Sequence, residues 1–154
     1  MDLKLKDKVV LITGATGGIG QAVTKAFLEE GSKLAIISTK QEKLDQLLAD
    51  LGNPGEDRVL GLVVDVTKED EVKKAVEKTV EHFGSLYSVV PNAGYNGEYQ
   101  EVVDATAENY KRVFDINVFG VLYSIKYALP HMIEKGAGSV VVLGSEGSYV
   151  GSPG

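Results

Sequence analysis

Two hydrophobic rhythms alternate along the chain. Short, mostly apolar runs at 9–12, 33–38, 59–64, 86–90 and 139–143 read as strands, the first two buried on both faces. Between them the apolar positions spread to helical spacing. Ala22, Val23, Ala26 and Phe27 predict a helix over residues 18–30, and Leu44, Leu47, Leu48 and Leu51 a second one. Val72, Ala75, Val76, Thr79, Val80 and Phe83 mark a third over about 68–82. A fourth, long helix shows Tyr110, Val113, Phe114, Ile116, Asn117, Val121, Ile125 and Leu129 on one broad face, with Pro130 predicting a kink near its end. Gly31, Gly52-Asn53-Pro54-Gly55 and Gly136-Ala137-Gly138 punctuate these segments.

Strictly alternating strands and helices predict a parallel sheet with helices on both faces, an α/β doubly wound, Rossmann-type domain. Right-handed crossovers give strand order 3-2-1-4-5. The 154 residues carry no internal repeat or long linker and are expected to form one domain, 1–154. In such a sheet a ligand lies at the carboxyl ends of the strands where their order reverses, here between the first and fourth.

The segment after the first strand has the chemistry for that position. Thr13-Gly14-Ala15-Thr16-Gly17-Gly18-Ile19-Gly20 joins a buried strand to an amphipathic helix. Free N–H groups and the positive end of the helix dipole face whatever fills the turn, and the glycines let a pyrophosphate approach the backbone. The bland alternative is a purely structural tight turn. The spacing satisfies both T-G-x-x-x-G-x-G and T-G-x-x-G-x-x-G, so the loop by itself leaves two families of site open.

The other strand ends supply further candidates. Asp65-Val66 follows the third strand, Pro91-Asn92-Ala93-Gly94 the fourth and Gly144-Ser145 the fifth, while Asn117 sits on the long helix. An aspartate ending an apolar strand either caps the next segment or accepts from a ligand amine. Taken in order across the whole chain, these residues and the glycine loop resemble the compact branch of the short-chain dehydrogenase/reductase family. Asn92-Ala93-Gly94 excludes the extended, epimerase-like branch.

That resemblance implies an NAD(P)-dependent oxidoreductase that passes hydride between the cofactor and a small carbonyl or alcohol substrate. It assigns Gly14, Thr16, Gly18, Ile19, Gly20, Asp65, Val66, Asn92, Ala93 and Gly94 to the cofactor, with Asp65-Val66 against its adenine. Ser145 would hold the substrate oxygen and Asn117 would support a proton relay. Pro91 departs from the family's asparagine and removes a backbone donor. After the second strand, Ser38, Thr39 and Lys40 replace the carboxylate that usually reads a ribose 2′-hydroxyl. This favours NADP over NAD, although no arginine is present there.

The family's chemistry also needs Tyr-x-x-x-Lys, two residues on one helix face. None of the seven tyrosines has lysine four residues on; Tyr149 is followed by Pro153. The resemblance places the pair beyond Gly154, so the expectation is a C-terminally incomplete chain, truncated before the last strands, with little turnover alone. The alternative is a non-catalytic nucleotide-binding or interaction module.

Composition narrows the partners. Sixteen Lys and Arg against 22 Asp and Glu leave a formal charge of −6, which disfavours nucleic acid. The absence of cysteine removes thiolate metal sites, His82 and His131 lack partners at ligand spacing, and no metal is expected. No apolar stretch reaches the length of a membrane span, and the opening residues lack a signal-peptide core. The expectation is a cytoplasmic protein. The family resemblance adds a homo-oligomer, with Tyr123 and Tyr127 of the long helix at its interface.

Overall fold

A computed structural model describes residues 3–145, 147, 149 and 150. Five parallel strands, β1 (Val9–Ile12), β2 (Lys33–Ser38), β3 (Val59–Val63), β4 (Ser88–Val90) and β5 (Ser139–Val140), form one sheet in the expected order, β3-β2-β1-β4-β5. The helices between them are α1 (Gly18–Glu29), α2 (Gln41–Asp50), α3 (Glu69–Phe83), α4 (Ala107–Phe114) and α5 (Gly120–Lys135).

Unbroken apolar strands suit this architecture because both faces of the sheet are covered. Successive residues of β1 and β2 go to opposite layers. Val9, Leu11, Ala35 and Ile37 pack with Val72, Val76, Ala128 and Met132 of α3 and α5. Val10, Ile12, Leu34 and Ile36 pack with Leu44 and Leu47 of α2 and with Val23 and Phe27 of α1. Among the described residues no buried side-chain nitrogen or oxygen lacks a hydrogen-bond partner.

The long helix departs from its sequence pattern. It is two helices joined by a turn of π-helix over Asp115–Phe119, and Pro130 lies within α5, which continues to Lys135. The broad apolar face packs only in part: Tyr110, Phe114 and Leu129 are exposed, while Ile116 packs against the core. The buried stripe is instead Gly120, Ser124, Ala128 and Met132, at four-residue intervals. Small residues there let α5 lie close to its neighbours; a Cβ on Gly120 would come within 2.9 Å of Val66 Cγ2.

A polar tether outside the core joins α3 to α5. Glu69 Oε1 accepts from Lys126 Nζ at 2.6 Å and from Tyr127 Oη at 2.8 Å. The hydrogen bond from Lys126, then that from Tyr127, holds the Glu69 carboxyl below its ordinary value; the carboxylate in turn raises both partners. A carboxyl lowered on folding stabilises the fold above its unfolded pKa, and that contribution is lost as pH falls through the lower folded value. Glu69→Gln is therefore expected to lower the thermal midpoint slightly at pH 7. The difference should vanish on acidification to below the ordinary carboxylate range, as scanning calorimetry across pH would show.

Candidate functional site

The carboxyl ends of the strands open on a cleft of about 820 Å³ at the switch between β1 and β4. Its floor is the glycine loop. Gly14 has φ +61, and a Cβ there would stand 2.7 Å from Ala93 Cα. A Cβ on Gly20 would collide with Gly14 O and the Ala15 backbone, so this glycine is what lets α1 begin so close to β1. No side chain caps α1, whose first internal bond is Gln21 N–H to Gly17 O at 2.9 Å. The N–H groups of Gly18, Ile19 and Gly20 therefore have no acceptor within the helix, and all three residues line the cleft.

Asn92 fastens the opposite wall. Its Nδ2 donates to Thr13 O at 3.0 Å and Gly14 O at 2.9 Å, while Thr13 Oγ1 accepts from the N–H groups of Asn92 and Ala93. Pro91 costs the β1–β4 ladder no bond. Val90 O accepts from Thr13 N–H on that side, whereas Pro91 O accepts from Leu143 N–H, so the N–H that proline lacks would face β5. Asn92→Ala is expected to lower unfolding stability by about 1–3 kcal/mol, because two carbonyls lose their donor. Chemical denaturation measures it.

Asn117 lies in the π-turn, where an extra residue widens the helix, a feature frequent at functional sites. Its Oδ1 accepts from Tyr95 N–H and its Nδ2 donates to Tyr95 O, both at 2.8 Å. The amide thus finds its partners in the loop after β4, pinning that loop to the helix. Ser145 lines the same cleft from the segment after β5, and its Oγ accepts from Gly147 N–H at 3.1 Å. Asp65 Oδ1 accepts from the Thr67 amide and hydroxyl at 3.0 and 2.8 Å, so this aspartate does cap the following turn; it also lines the cleft beside Val66.

The model of the short chain dehydrogenase family matches residues 8–154. The chain belongs to that family. It is 38% identical over 153 residues to zerumbone synthase of Zingiber zerumbet, covering 99% of this chain and 57% of the relative. It is 34% identical to cis-2,3-dihydrobiphenyl-2,3-diol dehydrogenase of Paraburkholderia xenovorans, covering 96% and 53%. NAD⁺-bound xylitol dehydrogenase superposes with TM-score 0.91 at 33% identity, over 97% of this chain and 57% of that one. Levodione reductase does so with TM-score 0.90 at 34%, over 96% and 58%. The chain spans little more than half the length of these relatives.

The cleft gathers all but one of the residues singled out from sequence. Gly14, Thr16, Gly18, Ile19, Gly20, Ser38, Thr39, Asp65, Val66, Asn92, Ala93, Gly94, Asn117 and Ser145 line it. Lys40 does not; it is the N-cap of α2. Sequence reasoning missed Lys43, Tyr95, Arg112 and Ile116, which also line the cleft. For Arg112 and Ile116 a signal existed, their i, i+4 spacing on the helix that carries Asn117. Arg112 lies over the Tyr95 ring, 4.6 Å from its centroid. Pro153 lies outside the described residues. Among the described residues no cluster of His, Asp and Glu could hold a metal, and no helix is long and apolar enough to cross a membrane.

Proposed function

We infer that this chain is the nucleotide-binding portion of an NAD(P)-dependent oxidoreductase acting on a small alcohol or carbonyl, with NADP preferred. The uncapped start of α1, opening into the cleft at the strand switch, is the observation that carries this reading. The residues fit a dinucleotide: three amides without an acceptor in the helix stand ready for its charged bridge, and Gly18, having no side chain, leaves the space before them open. Relatives named for a dihydrodiol and for xylitol support an alcohol or carbonyl substrate.

When bound, the nicotinamide cofactor supplies or takes the hydride. The chain's part is to bind and orient. Ile19 offers an apolar surface inside the cleft, 62% exposed, of the kind an aromatic ring covers. Asp65 accepts from an adenine amine, and Asn92 to Gly94 form the wall behind the ring. Ser145 Oγ donates to the substrate oxygen. Asn117, its side chain fixed by Tyr95, leaves its own backbone to order water for a proton relay.

Ser38 and Thr39 stand where a carboxylate would follow β2 in a site that reads the 2′-hydroxyl, and they leave room for a 2′-phosphate; Thr16 Oγ1 and Ser38 Oγ lie 2.8 Å apart at that end. A homo-oligomer is also proposed. Its interface is the long helix with Tyr123 and Tyr127, both only partly buried, and the exposed stripe of Tyr110, Phe114, Val118 and Leu122, which recurs every four residues, extends the same surface.

Equilibrium titration with NADPH and NADH, followed by nucleotide fluorescence, tests the cofactor reading: saturable binding of either supports it, and binding of neither refutes it. A second reading is a non-catalytic nucleotide-binding module. Reduction of a generic aldehyde by the chain with NADPH would exclude it, whereas tight nucleotide binding without turnover supports it.

A further inference from the structure

The chain has five asparagines, and four are held so that the side-chain amide is kept from the backbone nitrogen that follows it. Asn53 precedes Pro54, which has no N–H. Asn92 commits its Nδ2 to Thr13 O and Gly14 O, and the next N–H, that of Ala93, donates to Thr13 Oγ1. Asn109 and Asn117 lie within helical turns, and both side-chain amides are engaged by the loop after β4. Asn96 is the exception.

Asn96 is exposed on the wall of the cleft, outside any helix or strand, and Gly97 follows it. Neither its side chain nor the Gly97 N–H has a hydrogen-bond partner among the described residues. Glycine leaves that nitrogen unshielded by a side chain. The fold also demands the glycine: its φ is +79, and a Cβ there would stand 3.0 Å from Val113 Cγ2. The pair is therefore required by the structure and left unprotected by it.

We propose that Asn96–Gly97 is a site of spontaneous deamidation that alters the cleft wall. The Gly97 nitrogen bonds to Asn96 Cγ, the Cγ–Nδ2 bond breaks, and ammonia leaves with the proton that Gly97 gave up. Water then opens the cyclic imide at one carbonyl or the other, giving aspartate or isoaspartate, and no oxidant or reductant takes part. The new carboxylate stands next to Tyr95, over whose ring lies Arg112, a cation with no ion pair among the described residues. Isoaspartate also lengthens the main chain by one carbon between two clamps. Asn117 holds the N–H and C=O of Tyr95, and Asn109 holds those of Glu98 at 3.0 and 3.2 Å. The longer loop cannot satisfy both clamps.

Tandem mass spectrometry of the folded 154-residue chain, aged in warm, mildly alkaline buffer, tests the assignment. The expected result is a gain of about 1 Da at residue 96, split between two chromatographic forms, before any gain at Asn92, Asn109 or Asn117. Asn96→Gln, whose longer side chain closes a less favourable ring, should age without it. In ¹H–¹⁵N spectra the Tyr95 or Glu98 amide should shift as isoaspartate accumulates, while those of Gly18 and Gly20 stay in place. A gain seen only in the urea-unfolded chain, or shared equally among the asparagines, overturns the proposal. A converted chain with both Tyr95 and Glu98 unmoved does so too.

Discussion

Gly18→Val is expected to weaken binding of NADPH and NADH by about 100-fold, on the order of 2.7 kcal/mol, with little change in the unfolding midpoint. A Cβ at Gly18 meets nothing within 4 Å, so the fold has room for the substitution. Yet Gly18 lines the cleft at the first position of α1, and the space a side chain would fill is the space proposed for the pyrophosphate. Removing a glycine from a helix also restricts the unfolded chain, which favours folding by a few tenths of a kcal/mol and opposes any small strain. Fluorescence titration beside a thermal scan separates the two effects. An unchanged affinity would mean that no ligand comes close to the start of α1.

Gly20→Val should do the opposite. Its Cβ would overlap Gly14 O and approach the Ala15 backbone at 2.8 Å, and backbone has no rotamer through which to yield. Either α1 moves away from β1 or the glycine loop distorts, and the expected loss of stability is about 3 kcal/mol or more. Denaturant unfolding with far-ultraviolet circular dichroism measures it. Binding should fall as well, because the loop that shapes the cleft is the loop that shifts. The two glycines stand two residues apart in one motif, and their contrasting outcomes distinguish the room a ligand needs from the room the chain itself needs.

The sheet was legible because its signals are local. Four apolar residues at 9–12 leave no polar face, which a parallel strand covered on both sides requires, and the strand order then follows from handed crossovers. The strand ends were legible for the same reason, since topology alone puts Ser38, Asp65, Asn92 and Ser145 on one rim.

What the sequence hid is three-dimensional. The π-turn at Asp115–Phe119 leaves no mark in an apolar period, and Tyr110, Phe114 and Leu129 of the expected stripe stand exposed while Gly120, Ser124 and Ala128 pack. Counting large apolar residues favours the wrong face here, because close approach of helices selects small ones. The bonds from Asn92 Nδ2 to Thr13 O and Gly14 O depend on a side-chain direction, which no pattern of residues encodes. That Lys43 lines the cleft and Lys40 does not depends on where α2 begins, a boundary that sequence places only to within a few residues.

The amides at the start of α1 carry the proposed nucleotide site. Two-dimensional ¹H–¹⁵N spectra of the chain, recorded during titration with NADP⁺, test it most directly. The account predicts that the largest displacements fall on Gly14 and on Gly18, Ile19 and Gly20, with smaller ones at Asp65, Val66 and Ala93. Saturation of the chain with those amides unmoved, or displacements confined to the groove between Leu129 and Val140 at the far end of α5, would contradict it.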